Sequence, residues 1–187
     1  MKSSQEIYTQ IEQVKKLVES GNNSDIKLNA NGGNSILVVC PPEEEHVYIK
    51  ASQQILSCDT YEMIDLNQLL IEYIGQHKEE LLEKLFLLQS SIHQVFKSPQ
   101  EEDDNDFYNY IIEKINTAYK ADKIPFLYAV GSLYGTGIDN IQIIEHKTIM
   151  NAPLPLIILY PATDNKDKLM FLNTRAASKY RCIIIKK

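Results

Sequence analysis

Residues 35–45 of the chain, SILVVCPPEEE, contain the clearest structural signal among its 187 residues. The run from Ser35 to Cys40 is continuously apolar and rich in β-branched side chains, which is typical of a strand buried on both faces of a parallel sheet. Pro41 and Pro42 end that strand. The three glutamates that follow suit the first turn of a helix, because acidic side chains complement the helix dipole there. The stretch therefore predicts one strand–helix unit of an α/β fold.

Apolar runs and helical patterns continue to alternate along the rest of the chain. Further strands are predicted at residues 60–66, 124–130, 154–160, 167–173 and 181–187. Helical patterns are predicted at residues 43–56, at residues 66–96 with a break near Gly75, and at residues 107–118 and 138–147. Five or six strands alternating with helices predict a single α/β domain with a mostly parallel sheet and helices on both faces.

The chain is predicted to divide into an N-terminal helix, residues 1–21, and an α/β domain, residues 35–187. One apolar face of that helix consists of Ile7, Ile11, Val14 and Val18, whose spacing is that of successive helical turns. Residues 22–34 are rich in Asn and Gly, a composition that predicts a flexible loop between the two parts.

The net charge of −6 disfavours binding of nucleic acid or of an anionic membrane by the surface as a whole. Residues 166–187, the basic C-terminal segment, hold seven basic side chains and one acidic one. They therefore carry +6 and leave −12 for the other residues. The only two arginines of the chain, Arg175 and Arg181, lie in this segment. We expect the segment to be either solvated or docked on an acidic partner.

The cysteines and the termini indicate the compartment. Cys40, Cys58 and Cys182 show no CxxC spacing, and an odd number of cysteines without a secretory segment is typical of reduced thiols in the cytoplasm. The N-terminus is polar, and the strongest apolar run, Leu154 to Tyr160, is too short to cross a bilayer. The sequence therefore predicts a soluble cytoplasmic protein that binds no membrane.

Residues 131–137, GSLYGTG, lie between a predicted strand and a predicted helix, which is where nucleotide-binding proteins carry their phosphate loop. A Walker A loop ends in Gly-Lys-Ser or Gly-Lys-Thr, whereas this loop has no lysine. The composition instead favours a tight turn that requires positive φ angles. The loop after the first strand, CPPEEEH, has neither glycine nor lysine, so the fold is predicted to be P-loop-like without a Walker A motif. We accordingly expect no hydrolysis of ATP or GTP and no bound cofactor.

A nucleophilic site is conceivable at Cys40, which follows a strand, precedes a helix and has His46 six residues further along. No acidic orienting residue or oxyanion motif accompanies this pair, and a buried structural cysteine is the commoner interpretation. The four histidines of the chain have no metal-ligand spacing such as HExxH. The sequence therefore predicts no catalytic set and no metal site.

Four motifs in the C-terminal third follow one another in a characteristic order. They are AVGSLYG at residues 129–135, PLIILYPA at 155–162, LMFLN at 169–173 and KYRCIII at 179–185. Their order and spacing resemble those of the BrxB proteins of BREX (bacteriophage exclusion) systems. Ala162 stands where that family typically has glycine, and Cys182 stands where a small residue such as alanine is usual.

The resemblance implies an accessory subunit of a multi-protein phage-defence assembly. Its associates would be a PglZ-like protein of the alkaline phosphatase superfamily, a large ATPase and a methyltransferase. We therefore expect a non-enzymatic adaptor that acts through protein–protein interaction and does not bind nucleic acid on its own. The residues predicted to contact the partner are those of the family motifs, namely Gly131, Ser132, Tyr134, Tyr160, Tyr180 and Arg181.

Two alternatives remain open from the residues. The first is a nucleotide- or nucleic-acid-binding module that uses residues 131–137 and the basic C-terminal segment. The second is a hydrolase that depends on Cys40.

Overall fold

The computed structural model describes residues 4–20, 23–89, 91–97, 105–165, 168–177 and 181–186. Its centre is a parallel sheet of five strands in the order β2-β3-β4-β1-β7. The strands are β1 Ser35–Cys40, β2 Tyr61–Asp65, β3 Ile124–Tyr128, β4 Leu156–Asn165 and β7 Ile183–Ile185. Every residue of β1 is buried, which agrees with its continuous apolar pattern.

Eight helices surround the sheet in the described part of the chain: α1 Ser4–Glu19, α2 Asn23–Asn29, α3 Glu45–Ile55, α4 Leu66–Gln76, α5 Lys78–Leu87, α6 Phe107–Lys120, α7 Asn140–Ile144 and α8 Lys147–Met150. Side chains of β1 alternate between two apolar clusters, one on each face of the sheet. Leu37 and Val39 join the cluster that α4, α6, α7 and α8 cover. Ile36 and Val38 join the cluster that α1, α2 and α3 cover. The predicted α/β class, with a mostly parallel sheet and helices on both faces, is confirmed.

The N-terminal helix α1 packs directly on the sheet through the four apolar residues that the sequence indicated. Gln10, on the same helix, adds polar contacts: its Nε2 donates to the carbonyl oxygens of Val39 and Ile185, both at 3.2 Å. The hydroxyl of Tyr48 in α3 donates to Gln10 Oε1 at 3.0 Å. Helix α1 is therefore linked to both β1 and β7.

Strand β4 is longer than predicted, because it continues past Tyr160 to Asn165. Its second half pairs antiparallel with β5, Lys168–Phe171, which pairs in turn with β6, Arg175–Ala176. Tyr160, the predicted end of this strand, and Pro161 thus lie within β4. The turn after β5 is at residues 172–174, where Leu172 and Asn173 adopt φ angles of 49° and 60°.

Several helix boundaries differ from the predicted ones. Residues 22–34, predicted to be a loop, contain α2, because Ile26 is buried against the sheet and holds a short helix that its Asn-rich composition disfavours. The helical pattern predicted up to residue 96 ends at Leu87, and a 3₁₀ turn follows at Ile92–Gln94. The break between α4 and α5 is at His77, close to the predicted position.

The helix predicted at residues 138–147 is two short helices, α7 and α8. The second begins where His146 Nδ1 accepts a hydrogen bond from the backbone of Thr148 at 3.2 Å. No helix in the described ranges combines the length and the apolar character that crossing a membrane requires.

Candidate functional site

A cleft of about 410 Å³ opens at the carboxyl ends of β3 and β4. It lies between the loop that follows β3 and the β5–β6 hairpin. Its apolar wall is formed by Leu133, Ile138, Tyr160, Phe171, Ala176 and Ala177. Its polar side chains are those of His93, Tyr134, Asp139, Asn140 and Arg175. The carboxyl edge of a parallel sheet is where ligands of α/β proteins usually bind.

The loop after β3 is shaped by its own hydrogen bonds. Ala129 begins it in the left-handed conformation, with φ 54°. Ser132 Oγ donates to the carbonyl oxygen of Ala129 at 2.8 Å. Thr136 Oγ1 donates to the carbonyl oxygen of Leu133 at 2.7 Å and accepts from the backbone of Ile138 at 3.2 Å. These bonds satisfy polar groups locally and hold the loop in one conformation.

Two glycines of this loop have the positive φ angles that the sequence predicted, 86° at Gly135 and 79° at Gly137. Gly137 also meets a second constraint, because a Cβ atom there would lie 2.5 Å from the carbonyl oxygen of His93. A side chain at position 137 would therefore push the loop away from the 3₁₀ turn at Ile92–Gln94. The interpretation of the segment as a turn that needs positive φ is confirmed at these two positions.

The polar rim of the cleft is an ion pair between β6 and the start of α7. Arg175 Nη1 and Nη2 lie 2.8 and 3.2 Å from the two carboxylate oxygens of Asp139. The backbone N–H of Asp139 donates to Gln142 Oε1 at 3.0 Å, which orients the start of the helix. Because this geometry is bidentate, the charge of Arg175 is balanced within the cleft. Among the described residues that line the cleft there is no other lysine or arginine.

Asn140 is the one described cleft residue with an unsatisfied buried polar side-chain atom. Its side chain is 6% exposed, and its Oδ1 has no hydrogen-bond partner among the described residues. A buried acceptor without a donor costs about 1–3 kcal/mol, so such groups are rare in folded proteins and require an explanation.

The structure brings part of the predicted contact set to the cleft. Tyr134 stands at its mouth with 65% of the side chain exposed, whereas Tyr160 is buried in its wall and stacks on Phe171 with ring centres 4.9 Å apart. Gly131 and Ser132 belong to the same loop but do not line the cleft. A Cβ on Gly131 would lie 3.4 Å from Leu172 Cδ2, so this glycine packs against the turn after β5.

Of the other two predicted contact residues, Arg181 does not line the cleft. Arg181 is 62% exposed, and its Nε lies 3.9 Å from Glu145 Oε1. Tyr180 lies outside the described residues. The polar cleft residues His93, Asp139, Asn140 and Arg175 are not among the contact residues predicted from the sequence. The scarcity of arginine was a usable signal, since Arg175 is one of only two.

Several charges of the basic C-terminal segment are paired with acids from elsewhere in the chain. Besides Arg175 with Asp139 and Arg181 with Glu145, Lys186 Nζ contacts Asp164 Oδ2. The positive charge that the segment shows in sequence is therefore partly neutralised in the fold. This weakens its attraction for phosphate, since unpaired cations supply most of nucleic-acid affinity.

Strand β1 ends at Cys40, the nucleophile considered from the sequence, and the loop after it leads into α3. Cys40 is 0% exposed, and the 3₁₀ turn Pro42–Glu44 follows it. At the start of α3, Glu45 Oε1 accepts a hydrogen bond from the backbone of Ala129 at 3.2 Å. Burial raises the pKa of the Glu45 carboxyl above its ordinary value, and the nearby negative charge of Asp65 raises it further. The hydrogen bond from Ala129 acts in the opposite direction and lowers the pKa. Glu45 thus links the loops that follow β1 and β3.

Helices α4 and α5 carry a second surface feature, an exposed set of large apolar side chains. We define the α4–α5 apolar surface as Ile71, Ile74, Leu82, Leu85 and Phe86. Ile71 and Ile74 are three positions apart in α4, and Leu82 and Phe86 are four positions apart in α5. Residues at this spacing are neighbours on the surface of a helix. Phe86 is 75% exposed and Leu82 is 45% exposed. Such concentrations of exposed apolar side chains mark interaction sites.

The described ranges contain no group of three or more His, Cys, Asp or Glu side chains that could bind a metal ion. The described side chains of the cleft offer hydrogen bonding, aromatic packing and one ion pair, that of Arg175 with Asp139. No protein-family model, curated protein or solved structure matches the chain.

Proposed function

We propose that the chain is a non-enzymatic adaptor subunit of a BREX-type antiphage defence assembly in the cytoplasm, and that it binds a PglZ-like subunit through the α4–α5 apolar surface. The family resemblance of the motifs within residues 129–185 supports the assembly. The observation that carries the adaptor role is the exposure of large apolar side chains on two consecutive helices.

The α4–α5 apolar surface has the composition of an interface. Phe86 supplies an aromatic anchor, the kind of residue that contributes most of the binding energy when a partner buries it. Exposed charged side chains of α5, among them Lys78, Glu79 and Glu83, would form a polar rim around the anchor. Each Å² of apolar surface removed from water favours association by roughly 25 cal/mol before the entropic cost of binding.

The two alternatives receive less support from the structure. A hydrolase would need an accessible nucleophile, and Cys40 is fully buried. A nucleic-acid binder would need unpaired cations, and three basic side chains of the C-terminal segment contact acids.

The test is co-purification. The tagged chain is expressed with the PglZ-like protein and the other BREX subunits of the same host, and the captured proteins are quantified. We expect the wild-type chain to retain the PglZ-like subunit and the double variant Leu82→Ser/Phe86→Ser to retain at least ten-fold less. Leu28→Ser is the matched control, because Leu28 is 78% exposed but lies on α2.

The outcomes separate the two parts of the proposal. Failure of the wild-type chain to retain any BREX subunit would contradict the adaptor function. Equal retention by the wild-type chain and the double variant would contradict the assignment of the surface. Urea unfolding of the double variant must give a free energy within about 1 kcal/mol of wild type, because the two side chains are exposed.

A further inference from the structure

We propose that the cleft at the carboxyl ends of β3 and β4 binds a small, uncharged nitrogen heterocycle of the nucleobase or nucleoside class. The cleft lies where parallel sheets usually bind their ligands, and its volume of about 410 Å³ is in the range of small-molecule sites. The inference does not depend on the adaptor function, since the cleft and the α4–α5 apolar surface share no residue.

The wall of the cleft suits a planar ring. Tyr160 and Phe171 form a stacked pair behind it, with an angle of 27° between the ring planes. Ile138 and Ala176 add aliphatic surface. Tyr134 is exposed at the mouth, where its ring is available to stack on a bound heterocycle. Stacking of a base on an aromatic side chain contributes roughly 1–3 kcal/mol.

The polar side chain that selects a nitrogen heterocycle is Asn140. Its buried Oδ1 has no donor among the described residues, so a ligand N–H group would satisfy an acceptor that is otherwise costly to bury. A carboxamide oxygen accepts hydrogen bonds, and the edge of a nucleobase carries N–H groups that can donate to it.

The charges of the cleft favour an uncharged ligand over a nucleotide. The guanidinium of Arg175 is held bidentate by Asp139, and no other lysine or arginine is found among the described lining residues. A triphosphate would meet the carboxylate of Asp139 without a free cation to neutralise its charge. The loop at residues 131–137 contains glycines that shape the turn, but it contains no lysine that could contact a phosphate group.

The experiment is a calorimetric titration of the full chain with adenosine, guanosine, cytidine and uridine, and then with the corresponding triphosphates. We expect saturable binding of at least one nucleoside and at least ten-fold weaker binding of its triphosphate. Ala176→Trp should abolish that binding, because Ala176 is exposed and a large side chain there would fill the cleft without disturbing the core. Asn140→Leu should weaken it at least ten-fold. Leu28→Ser, on α2 and away from the cleft, should leave it unchanged.

Three results would overturn the proposal: no nucleoside binding up to millimolar concentration, a triphosphate that binds as tightly as its nucleoside, or unchanged affinity in Ala176→Trp. Circular dichroism of each variant shows whether it is folded. If Asn140→Leu does not fold, Ala176→Trp still decides the result. Capture of BREX subunits is measured separately, so loss of nucleoside binding and loss of the adaptor function can be told apart.

Discussion

Helices α1 and α5 have the same kind of sequence but different surroundings. Both repeat apolar residues at helical spacing between charged ones. In α1 the apolar face is buried against the sheet, and Ile11 and Val14 are 0% exposed. In α5 only Leu81 is buried, while Leu82, the next residue, and Phe86, one turn further along, are exposed.

The difference shows that an amphipathic pattern predicts a helix and its apolar face but does not predict what covers that face. Helix α1 is held by buried contacts and by the hydrogen bonds of Gln10. Helix α5 is held by Leu81 and by exposed ion pairs, such as Lys84 with Glu80 at 2.9 Å. Its uncovered apolar face is the reason for assigning it to a partner.

The largest expected effect comes from truncating the buried face. Ile11→Ala should lower the free energy of unfolding by about 2–5 kcal/mol, because it removes a fully buried side chain and leaves a cavity. Leu82→Ala, at an equivalent apolar position of α5, should lower it by less than about 1 kcal/mol. Urea unfolding monitored by circular dichroism measures both. Equal losses in the two variants would mean that α5 is covered as completely as α1.

A smaller loss of free energy of unfolding is expected when the buried hydrogen bonds of Gln10 in α1 are removed. Gln10→Leu should cost about 1–3 kcal/mol, because it removes the donor to Val39 and Ile185 and the acceptor of Tyr48 while keeping the side-chain size. The matched control is Gln13→Leu, on the exposed side of the same helix, which should change the free energy by no more than about 0.5 kcal/mol. Similar results for the two variants would show that burial alone positions α1.

The smallest effect is expected on α5. The pKa of the Glu80 carboxyl lies below its ordinary value, chiefly because Lys84 donates a hydrogen bond to it. The contribution of Glu80 is thus present above the unfolded-state pKa of about 4.3 and is lost as the pH falls. Glu80→Gln should cost at most about 0.5 kcal/mol at pH 7, since the pair is exposed.

Urea unfolding of Glu80→Gln at several pH values tests this dependence. The difference from wild type should disappear in acid and shrink at high salt. Glu79→Gln is the control, because Glu79 makes no ion pair among the described residues. A difference that persists below pH 3 would rule out the ion pair as its cause.

Most strands and long helices could be predicted because their signals are local. The apolar run at residues 35–40 corresponds to β1 with the same ends, and the helix predicted at residues 1–21 corresponds to α1 within three residues at either end. Helix α2 and strand β6 could not be predicted in this way. Helix α2 depends on the burial of Ile26 against distant residues, and β6 is two residues long, too short to have a pattern.

The candidate site was predicted only in part. The loop of Gly135 and Gly137 was recognisable from glycine placement after a strand, and Tyr134 was selected through the family resemblance. The ion pair of Arg175 with Asp139 was not recognisable, because its members are 36 residues apart, although the scarcity of arginine was a signal for Arg175. Asn140 becomes informative only when its burial is known.

The α/β class, the order of the longer elements and the apolar face of α1 follow from the sequence alone, because periodicity and turn composition act over a few residues. The tertiary structure decided which faces are covered, which charges are paired and which side chains meet at the cleft. Gln10 and Ile185 are 175 residues apart and are joined by one hydrogen bond. Contacts of this kind are properties of the packed sheet, and burial and electrostatics depend on every neighbour in space rather than on neighbours in the chain.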